Sequence, residues 1–326
     1  IPFRRRDGRI EHLPPWGITD GHDGPNPIVA LAAPRPDLNG ALHELLIGLF
    51  SVALALPDMR AWRNALEPQS PETLRAALMA LPPAFNLDGD GPRFLQDLAA
   101  ADFAAVGPTP VENLLIDAAG ENTQKLNKDL FVKRGRIARM GRAGAAMALF
   151  TLQAYAPSGG QGHRTSMRGG GPLTTLVDPR ETPDQPLWSM IAANLMLAQR
   201  DAWLPEDWTG ADGQEVALRI WPWLAPARTS NAKTGGGQTT QAHAHPMQAL
   251  FGMPRRIRLD FDYGDAVCDL LGATDGVTGG RTGQVSCLNR PMERAWPRKW
   301  PTSWRVQREA DCSTSRCALS VLTWTT

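Results

Sequence analysis

The residues with the clearest chemical potential lie in one glycine-rich stretch, "APSGGQGHRTSMRGGGPLTTLV", from Ala156 to Val177. It holds six glycines and the basic residues His163, Arg164 and Arg168. Loops of this kind serve as phosphate cradles, as nucleophile turns or as surfaces that lie against nucleic acid. A P-loop ends in lysine followed by serine or threonine, and a serine nucleophile turn has the frame Gly-x-Ser-x-Gly. Neither frame occurs here, so the first two chemistries are excluded.

Three interpretations of the loop remain open on these residues alone. One is contact with nucleic acid. The second follows from peptide-chain release factors, which carry a Gly-Gly-Gln tip followed by basic residues; the run from Gly159 to Thr165 resembles it and implies a peptidyl-tRNA hydrolase. The third is a purely structural module whose glycines merely permit tight turns.

The charge of the chain is balanced overall but not along its length. Lys+Arg number 34 and Asp+Glu 33, for a formal net charge of +1, which argues against a very basic protein that coats nucleic acid. A local basic segment nevertheless attracts phosphate while the whole chain stays neutral. Between residues 131 and 180, Asp178 alone opposes the basic residues, which are Lys133, Arg134, Arg136, Arg139, Arg142, Arg164, Arg168 and Arg180.

No segment has the form of a signal peptide or a membrane span. The most apolar run, Leu42 to Leu56, contains His43 and Glu44 and is shorter than the ~18 residues that a span needs. Four cysteines in 326 residues do not make a disulfide framework. We therefore expect a cytoplasmic protein with no membrane partner.

The elements that must position the loop are a mixture of helices and strands, so the fold is predicted to be α+β. Tight-turn residues, apolar periodicity and helix-capping residues indicate their bounds. The predictions are a hairpin over Ile1–Leu13 that turns at Asp7-Gly8, a core helix that holds Leu42 to Phe50 and is stopped by Pro57, a helix from Ser70-Pro71 to Leu81, helices over Ala143–Tyr155 and Leu187–Leu197, and a half-buried strand at "RRIRLDF".

Long blocks of the sequence, taken in order, resemble one family. They are "IPFRRRDG", "NPIVALAAPRPDLNGAL", "DGDGPRFLQDL", "VENLLIDAAGENT", "FVKRG", "AAMALFTLQAYAPSGGQGHRTSMRGGGPLTTLV", "WPWLAPARTS", "HPMQALFGMPRRIRLDF" and "CDLLG". From Ile1 to about Gly272 they resemble the CasA family, the large subunit of the type I-E CRISPR surveillance complex Cascade. Release factors share none of the blocks around the loop, so the CasA resemblance is the leading interpretation.

The resemblance implies a DNA-recognition subunit that is not an enzyme. In that family the subunit inspects the protospacer-adjacent motif of duplex DNA, helps to open the duplex beside it and offers a docking surface to a helicase-nuclease. The implied partners are target double-stranded DNA, a guide RNA, the other Cascade subunits and that helicase-nuclease. No cofactor is implied.

The glycine loop corresponds to the loop with which the family reads the motif. Without Cβ atoms, its backbone can approach base edges closely, and arginines beside it can neutralise phosphate. The DNA contacts implied here are Gly159, Gly160, Gln161, Gly162, Arg164 and Arg168.

The block "FVKRG" resembles the start of a second loop that approaches nucleic acid in the family. It implies contacts from Phe131, Val132 and Lys133. An exposed aromatic ring can stack on a base while the lysine meets phosphate. The alternative is that Phe131 is buried against its own domain.

The family also carries two Cys-x-x-Cys pairs that resemble a structural zinc site. Here the first pair corresponds to Gly141-Arg142-Ala143-Gly144, and the second to Cys268 followed by Leu271. One of the four thiolates is present, and a lone cysteine does not hold structural zinc. We therefore expect no metal.

The resemblance also predicts two parts in the chain. Residues 1–275 form a CasA-like domain, the large mixed N-terminal domain of the Cascade large subunit. Residues 276–326 show no sustained helical or strand period and form an irregular or disordered tail outside the family pattern, which points to a shifted reading frame. The family's C-terminal helical bundle, lysine finger and glutamine wedge belong beyond this point, so we expect them to be missing.

Overall fold

The computed structural model describes residues 1–98, 109–132, 134–135, 137–155, 175–198, 204–227, 245–262 and 276–283. These residues fall into two compact units. The first holds the described residues within Ile1–Pro82 and Leu173–Val216, and the second holds those within Pro83–Pro172 and Ala217–Ala295. Each unit is thus built from separate segments of the chain.

Both units combine helices with antiparallel strands, which confirms the predicted α+β fold. The α-helices are α1 (Pro36–Leu54), α2 (Met59–Ala65), α3 (Pro71–Met79), α4 (Glu121–Lys125), α5 (Arg142–Tyr155), α6 (Leu187–Ala193), α7 (Ala211–Ile220) and α8 (Gln248–Phe251). The strands are β1 (Pro2–Arg5), β2 (Ile10–His12), β3 (Ile28–Leu31), β4 (Arg256–Asp262) and β5 (Gly276–Gly283). Short 3-10 helices lie at Pro15–Thr19, Val111–Leu114 and Pro222–Leu224.

The first unit opens with a three-stranded antiparallel sheet in the order β2-β1-β3. Phe3 of β1 pairs with Glu11 of β2 across a tight turn. In that turn Gly8 has a φ of +88°, and Asp7 Oδ1 accepts a hydrogen bond from the N–H of Arg9 at 2.9 Å. Glycine adopts positive φ without steric cost, so the hairpin predicted at Asp7-Gly8 is confirmed.

Helix α1 is the core helix of the first unit. Leu38, Leu42, Leu46 and Phe50 lie on its buried face and are at most 2% exposed. Within the described residues, α1 is the helix whose length and composition would suffice to cross a membrane, but 67% of its most apolar window is buried inside the protein. Such burial is typical of a core helix, as the apolar spacing predicts.

Side-chain caps begin the next two helices. Ser70 Oγ accepts a hydrogen bond from the N–H of Thr73 at 3.2 Å, and α3 starts at Pro71 as the sequence predicts. The preceding helix α2 has no counterpart among the predictions. Its cap is Asp58, whose Oδ1 accepts from the N–H of Ala61 at 2.8 Å. A cap satisfies a backbone N–H that the first helical turn leaves without a partner.

Helix α6 completes the core of the first unit. Trp188 is fully buried, and its ring packs edge-on against Phe50 with 5.2 Å between centroids. Its Nε1 donates to the carbonyl of Ala65 at 3.0 Å. The indole therefore buries its full apolar area without leaving its donor unsatisfied.

The end of α6 differs from the prediction. The helix stops at Ala193 instead of continuing to Leu197. The side-chain amide of Asn194 donates to the carbonyl of Met190 at 2.7 Å and to that of Val177 at 2.8 Å. An asparagine that bonds neighbouring carbonyls in this way offers the backbone an alternative to helix continuation.

The second unit is centred on an aromatic cluster. Trp223 is fully buried and contacts Phe94 at 5.3 Å and Phe251 at 6.2 Å between centroids, both edge-to-face. Phe85 contacts Phe94 at 5.7 Å and Trp221 at 5.6 Å. Rings in this arrangement stabilise a core beyond the area that they bury. The cluster joins the two sequence segments of the unit.

Strand β4 confirms the half-buried strand predicted at "RRIRLDF". Ile257 and Leu259 are at most 1% exposed, and β4 pairs antiparallel with β5, where Ile257 lies opposite Thr282. The sequence predicts an irregular tail from residue 276, whereas the first eight residues of that part form the strand β5. They lack an apolar alternation, but the backbone groups of β4 can pair with any extended segment. Residues 284–326 lie outside the described residues, so the prediction for them stays a prediction.

Candidate nucleic-acid interface

Two adjacent apolar side chains project from the second unit. Phe131 is 98% exposed and Leu130 is 85% exposed, more than any other large apolar side chain in the described part of the chain. Exposed apolar groups that lie together mark interaction sites more often than isolated ones do. The alternative that Phe131 is buried against its own domain is wrong, because the side chain is almost fully exposed.

A tight turn presents these two side chains. The N–H of Val132 donates to the carbonyl of Asp129 at 3.1 Å, which closes a four-residue turn. Leu130 and Phe131 occupy its two central positions, where side chains point away from the reversing chain. Aspartate is a common first residue of such turns, whereas large apolar side chains at the centre are not. We call Leu130 and Phe131 the apolar tip.

An arginine fork holds the turn closed. Arg134 Nε and Nη2 each lie 2.5 Å from an oxygen of the Asp129 carboxylate. Arg134 Nη2 also lies 2.8 Å from the carbonyl of Gln124 and 3.3 Å from Oδ1 of Asn127. Two parallel charge-assisted bonds to one carboxylate fix direction as well as distance. We call this pair the Asp129–Arg134 clamp.

The clamp is charged at neutral pH. The hydrogen bond from Arg134 lowers the pKa of the Asp129 carboxyl, and the same bond raises the pKa of Arg134. Because the folded pKa of Asp129 lies below its unfolded value of about 3.9, the clamp contributes fully above that pH and is lost as the pH falls through the lowered pKa.

The chain on either side of the turn is also held. The N–H of Gly135 donates to both carboxylate oxygens of Glu112, at 2.9 and 3.1 Å, and Gly135 has a φ of +68°. On the other side, the N–H of Lys128 donates to the carbonyl of Thr123 at 2.9 Å. The tip is therefore carried by a segment with fixed ends.

The remaining predicted contacts lie mostly outside the described residues. Val132 is half-buried within the turn, and Lys133 lies outside the described residues. Residues 156–174, which hold all the glycines of the glycine-rich stretch, lie outside them as well, so its predicted DNA contacts stay predictions: Gly159, Gly160, Gln161, Gly162, Arg164 and Arg168.

Helix α5 leads the chain to the glycine loop and is anchored close to its end. Gln153 is 1% exposed, and its amide nitrogen donates to the carbonyls of Arg255 at 2.9 Å and Leu95 at 3.2 Å. Its Oε1 accepts the N–H of Arg255 at 2.9 Å. These bonds satisfy a buried amide and tie α5 to the segment that precedes β4.

An arginine contact stands where the first Cys-x-x-Cys pair of the family would lie. Arg142 Nη2 is 3.1 Å from a carboxylate oxygen of Asp88, and the guanidinium lies 4.3 Å from the centre of the Phe261 ring. Gly141 and Gly144 are buried. The cation–π contact connects the start of α5 to β4, and the ion pair connects it to the segment that holds Asp88.

Within the described ranges, no group of three or more His, Cys, Asp or Glu side chains could hold a metal ion. Cys268 and Leu271 lie outside those ranges. That the chain is metal-free stays a prediction.

Residues 1–292 match the model of the family described as CRISPR-associated protein Cse1. Similar solved structures include CasA of Thermus thermophilus, with a TM-score of 0.56 and 20% identity over 89% of this chain and 51% of that one. Cse1 of Thermobifida fusca matches with a TM-score of 0.55 and 19% identity over 87% of this chain and 49% of that one. Cse1 of Acidimicrobium ferrooxidans matches with a TM-score of 0.56 and 18% identity over 90% of this chain and 52% of that one.

These structural matches show a shared fold. The chain spans about half the length of the solved proteins that it matches, with 51% of the Thermus chain covered. Among curated proteins, none matches the sequence.

Proposed function

The chain belongs to the family of CRISPR-associated protein Cse1, and we propose that it serves as the DNA-recognition subunit of an RNA-guided antiviral complex. In this role it reads the protospacer-adjacent motif, helps to open the target duplex beside it and catalyses no reaction. Its partners are target double-stranded DNA, a guide RNA, the other Cascade subunits and a recruited helicase-nuclease. It acts in the cytoplasm.

The observation that carries this proposal is the apolar tip. Phe131 is 98% exposed on a held turn inside the matched region. Every base has a π-face, so an exposed aromatic ring can stack on an unpaired base without regard to sequence. A turn that presents such a ring suits a subunit that contacts bases as the duplex opens.

The family match does not support the release-factor interpretation. The family match spans the Gly-Gly-Gln stretch together with the blocks on both sides of it. The match supports our proposal that Gln161 belongs to a DNA-contacting loop rather than to a peptide-release tip.

We expect Phe131→Ala to weaken binding to a duplex with a central unpaired stretch by about 5- to 100-fold, since one base–aromatic stack is lost. Lys133→Ala should instead weaken binding to DNA of any sequence. It should also reduce the slope of log affinity against log salt concentration by about the amount that one phosphate contact contributes. Fluorescence anisotropy of the labelled DNA over a range of salt concentrations measures both. Met79→Ala is a matched control, because Met79 is 65% exposed in the first unit. Unchanged binding of Phe131→Ala would contradict the contact.

The glycine loop gives a second test. Gly160→Leu should reduce the ratio of affinities for duplexes that differ only in the base pairs beside the target, because a side chain blocks close backbone approach. Competition binding with such a set of duplexes measures the ratio. Gly91→Leu is the control, since a Cβ at Gly91 meets nothing within 4 Å. Discrimination that survives Gly160→Leu unchanged would argue against motif reading by this loop.

A further inference from the structure

We propose that Arg134 is a positioning residue, which holds the apolar tip in shape for base contact and does not itself bind phosphate. The inference rests on the proposed function and goes beyond it by giving this arginine a task different from that of the basic segment around it.

The electrostatic surroundings of Arg134 disfavour a phosphate. The clamp pairs Arg134 with a carboxylate whose side chain is 6% exposed. A phosphate that approached the guanidinium would meet this carboxylate as well, and like charges repel. The pair has no net charge, so it adds little to phosphate attraction.

Two nitrogens of the Arg134 guanidinium donate to acceptors within the protein. Its Nε and Nη2 are directed at Asp129, and Nη2 is also within reach of the Gln124 carbonyl and Asn127 Oδ1. All of these acceptors belong to the segment that precedes the tip. The planar fork of arginine matches a carboxylate in a way that the single ammonium of lysine cannot.

The clamp also restrains the turn mechanically. Bonds from Lys128 to Thr123 and from Gly135 to Glu112 hold the two ends of the segment. Arg134 links the first residue of the turn to the chain that follows the turn. A tip that is ordered before binding loses less conformational freedom when a base stacks on it. Loss of the clamp should thus loosen the turn while the rest of the unit stays folded.

The test uses the full chain and the labelled duplex with an unpaired stretch. We expect Arg134→Ala, Arg134→Lys and Asp129→Asn each to weaken binding by about the same factor as Phe131→Ala, about 5- to 100-fold. The double variant Asp129→Asn/Arg134→Ala should bind no more weakly than either single variant. The salt dependence should match that of the wild type. Hydrogen exchange at the amides of Val132 and Gly135 should become faster in all three single variants.

A phosphate contact predicts the opposite pattern. Arg134→Lys would then bind almost normally, and Asp129→Asn would not weaken binding. Arg134→Ala would lower the slope of log affinity against log salt concentration by about the amount that one phosphate contact contributes. That pattern, or unchanged amide exchange in Arg134→Ala, would overturn the proposal. Should Phe131→Ala bind like the wild type, the base contact of the proposed function fails, and the exchange rates alone then decide whether Arg134 positions the tip.

Discussion

Arg256→Met should destabilise the second unit by about 3–5 kcal/mol, the usual cost of breaking a buried ion pair by removing one partner. Arg256 lies on β4, and its Nε bonds to the carboxylate of Asp97. The Asp97 side chain is fully buried and that of Arg256 is 8% exposed. Without the guanidinium, the carboxylate stays in the interior and loses the cation that offsets its charge.

Urea unfolding followed by tryptophan fluorescence measures the loss. Arg258→Met is the matched control on the same strand, since Arg258 reaches the carbonyl of Asp97 at 3.3 Å and not the carboxylate, and we expect it to cost about 1 kcal/mol. The double variant Asp97→Leu/Arg256→Met should recover most of the stability, because no buried charge is left behind. A loss below about 1 kcal/mol for Arg256→Met would show that the pair is not needed.

Gly213→Ala should destabilise the first unit by about 2–3 kcal/mol, although alanine is the better helix former. Gly213 lies in α7. A Cβ at this position would collide with the carbonyl oxygen of Asp207 and would lie 2.6 Å from Cα of Trp208. Both are backbone atoms, and the Asp207 carboxylate is bonded to the N–H of Thr209 at 2.8 Å. The helix must therefore move away from the turn before it.

Gly210→Ala provides the comparison three residues earlier. A Cβ at Gly210 meets nothing within 4 Å, so this variant should cost at most about 1 kcal/mol, the usual loss when alanine replaces a preferred residue just before a helix. Thermal unfolding of the two variants side by side measures the difference. If Gly213→Ala proves as stable as Gly210→Ala, the close approach of α7 to the preceding turn is not required by the fold.

Local signals explain the parts of the fold that the sequence predicts correctly. The hairpin at Asp7-Gly8 needs a positive φ that glycine supplies, and the helix after Ser70 needs a cap that serine supplies. Both requirements are met by adjacent residues, so they can be read without knowing the rest of the structure.

Long-range partners are what local patterns do not reveal. Asp97 and Arg256 are separated by 159 positions, and the sequence blocks that hold them do not indicate that they pair. The aromatic cluster likewise joins Phe85 and Phe94 to Trp223 and Phe251. Contacts between distant positions depend on how separate segments pack in the fold. The apolar periodicity of one segment does not indicate which other segment it packs against.

The sequence predicts the candidate site only in part. The family resemblance points to Phe131 but does not decide between burial and exposure, and it does not indicate Leu130. By sequence Arg134 belongs to the basic segment, whereas the structure pairs it with Asp129. One local signal for this pair exists: an aspartate at the first position of a turn, followed five residues later by an arginine.

Each unit combines segments that are far apart in the described chain, and this matters while the protein is being made. The hydrogen bond from Trp188 to Ala65 can form only after the whole of Pro83–Pro172 has been synthesised. At about 5–20 residues per second, that segment takes roughly 5–20 s to leave the ribosome. During this time the apolar face of α1 has no Trp188 to pack against and is open to chaperones or to other nascent chains.

Neither unit can be obtained by cutting the chain once. A break after Pro172 leaves the first unit without α6 and the second without β4 and its Arg256. Both units therefore depend on late-arriving segments, which makes their folding slow and leaves intermediates exposed. Fragments intended for expression should keep residues 1–283 together.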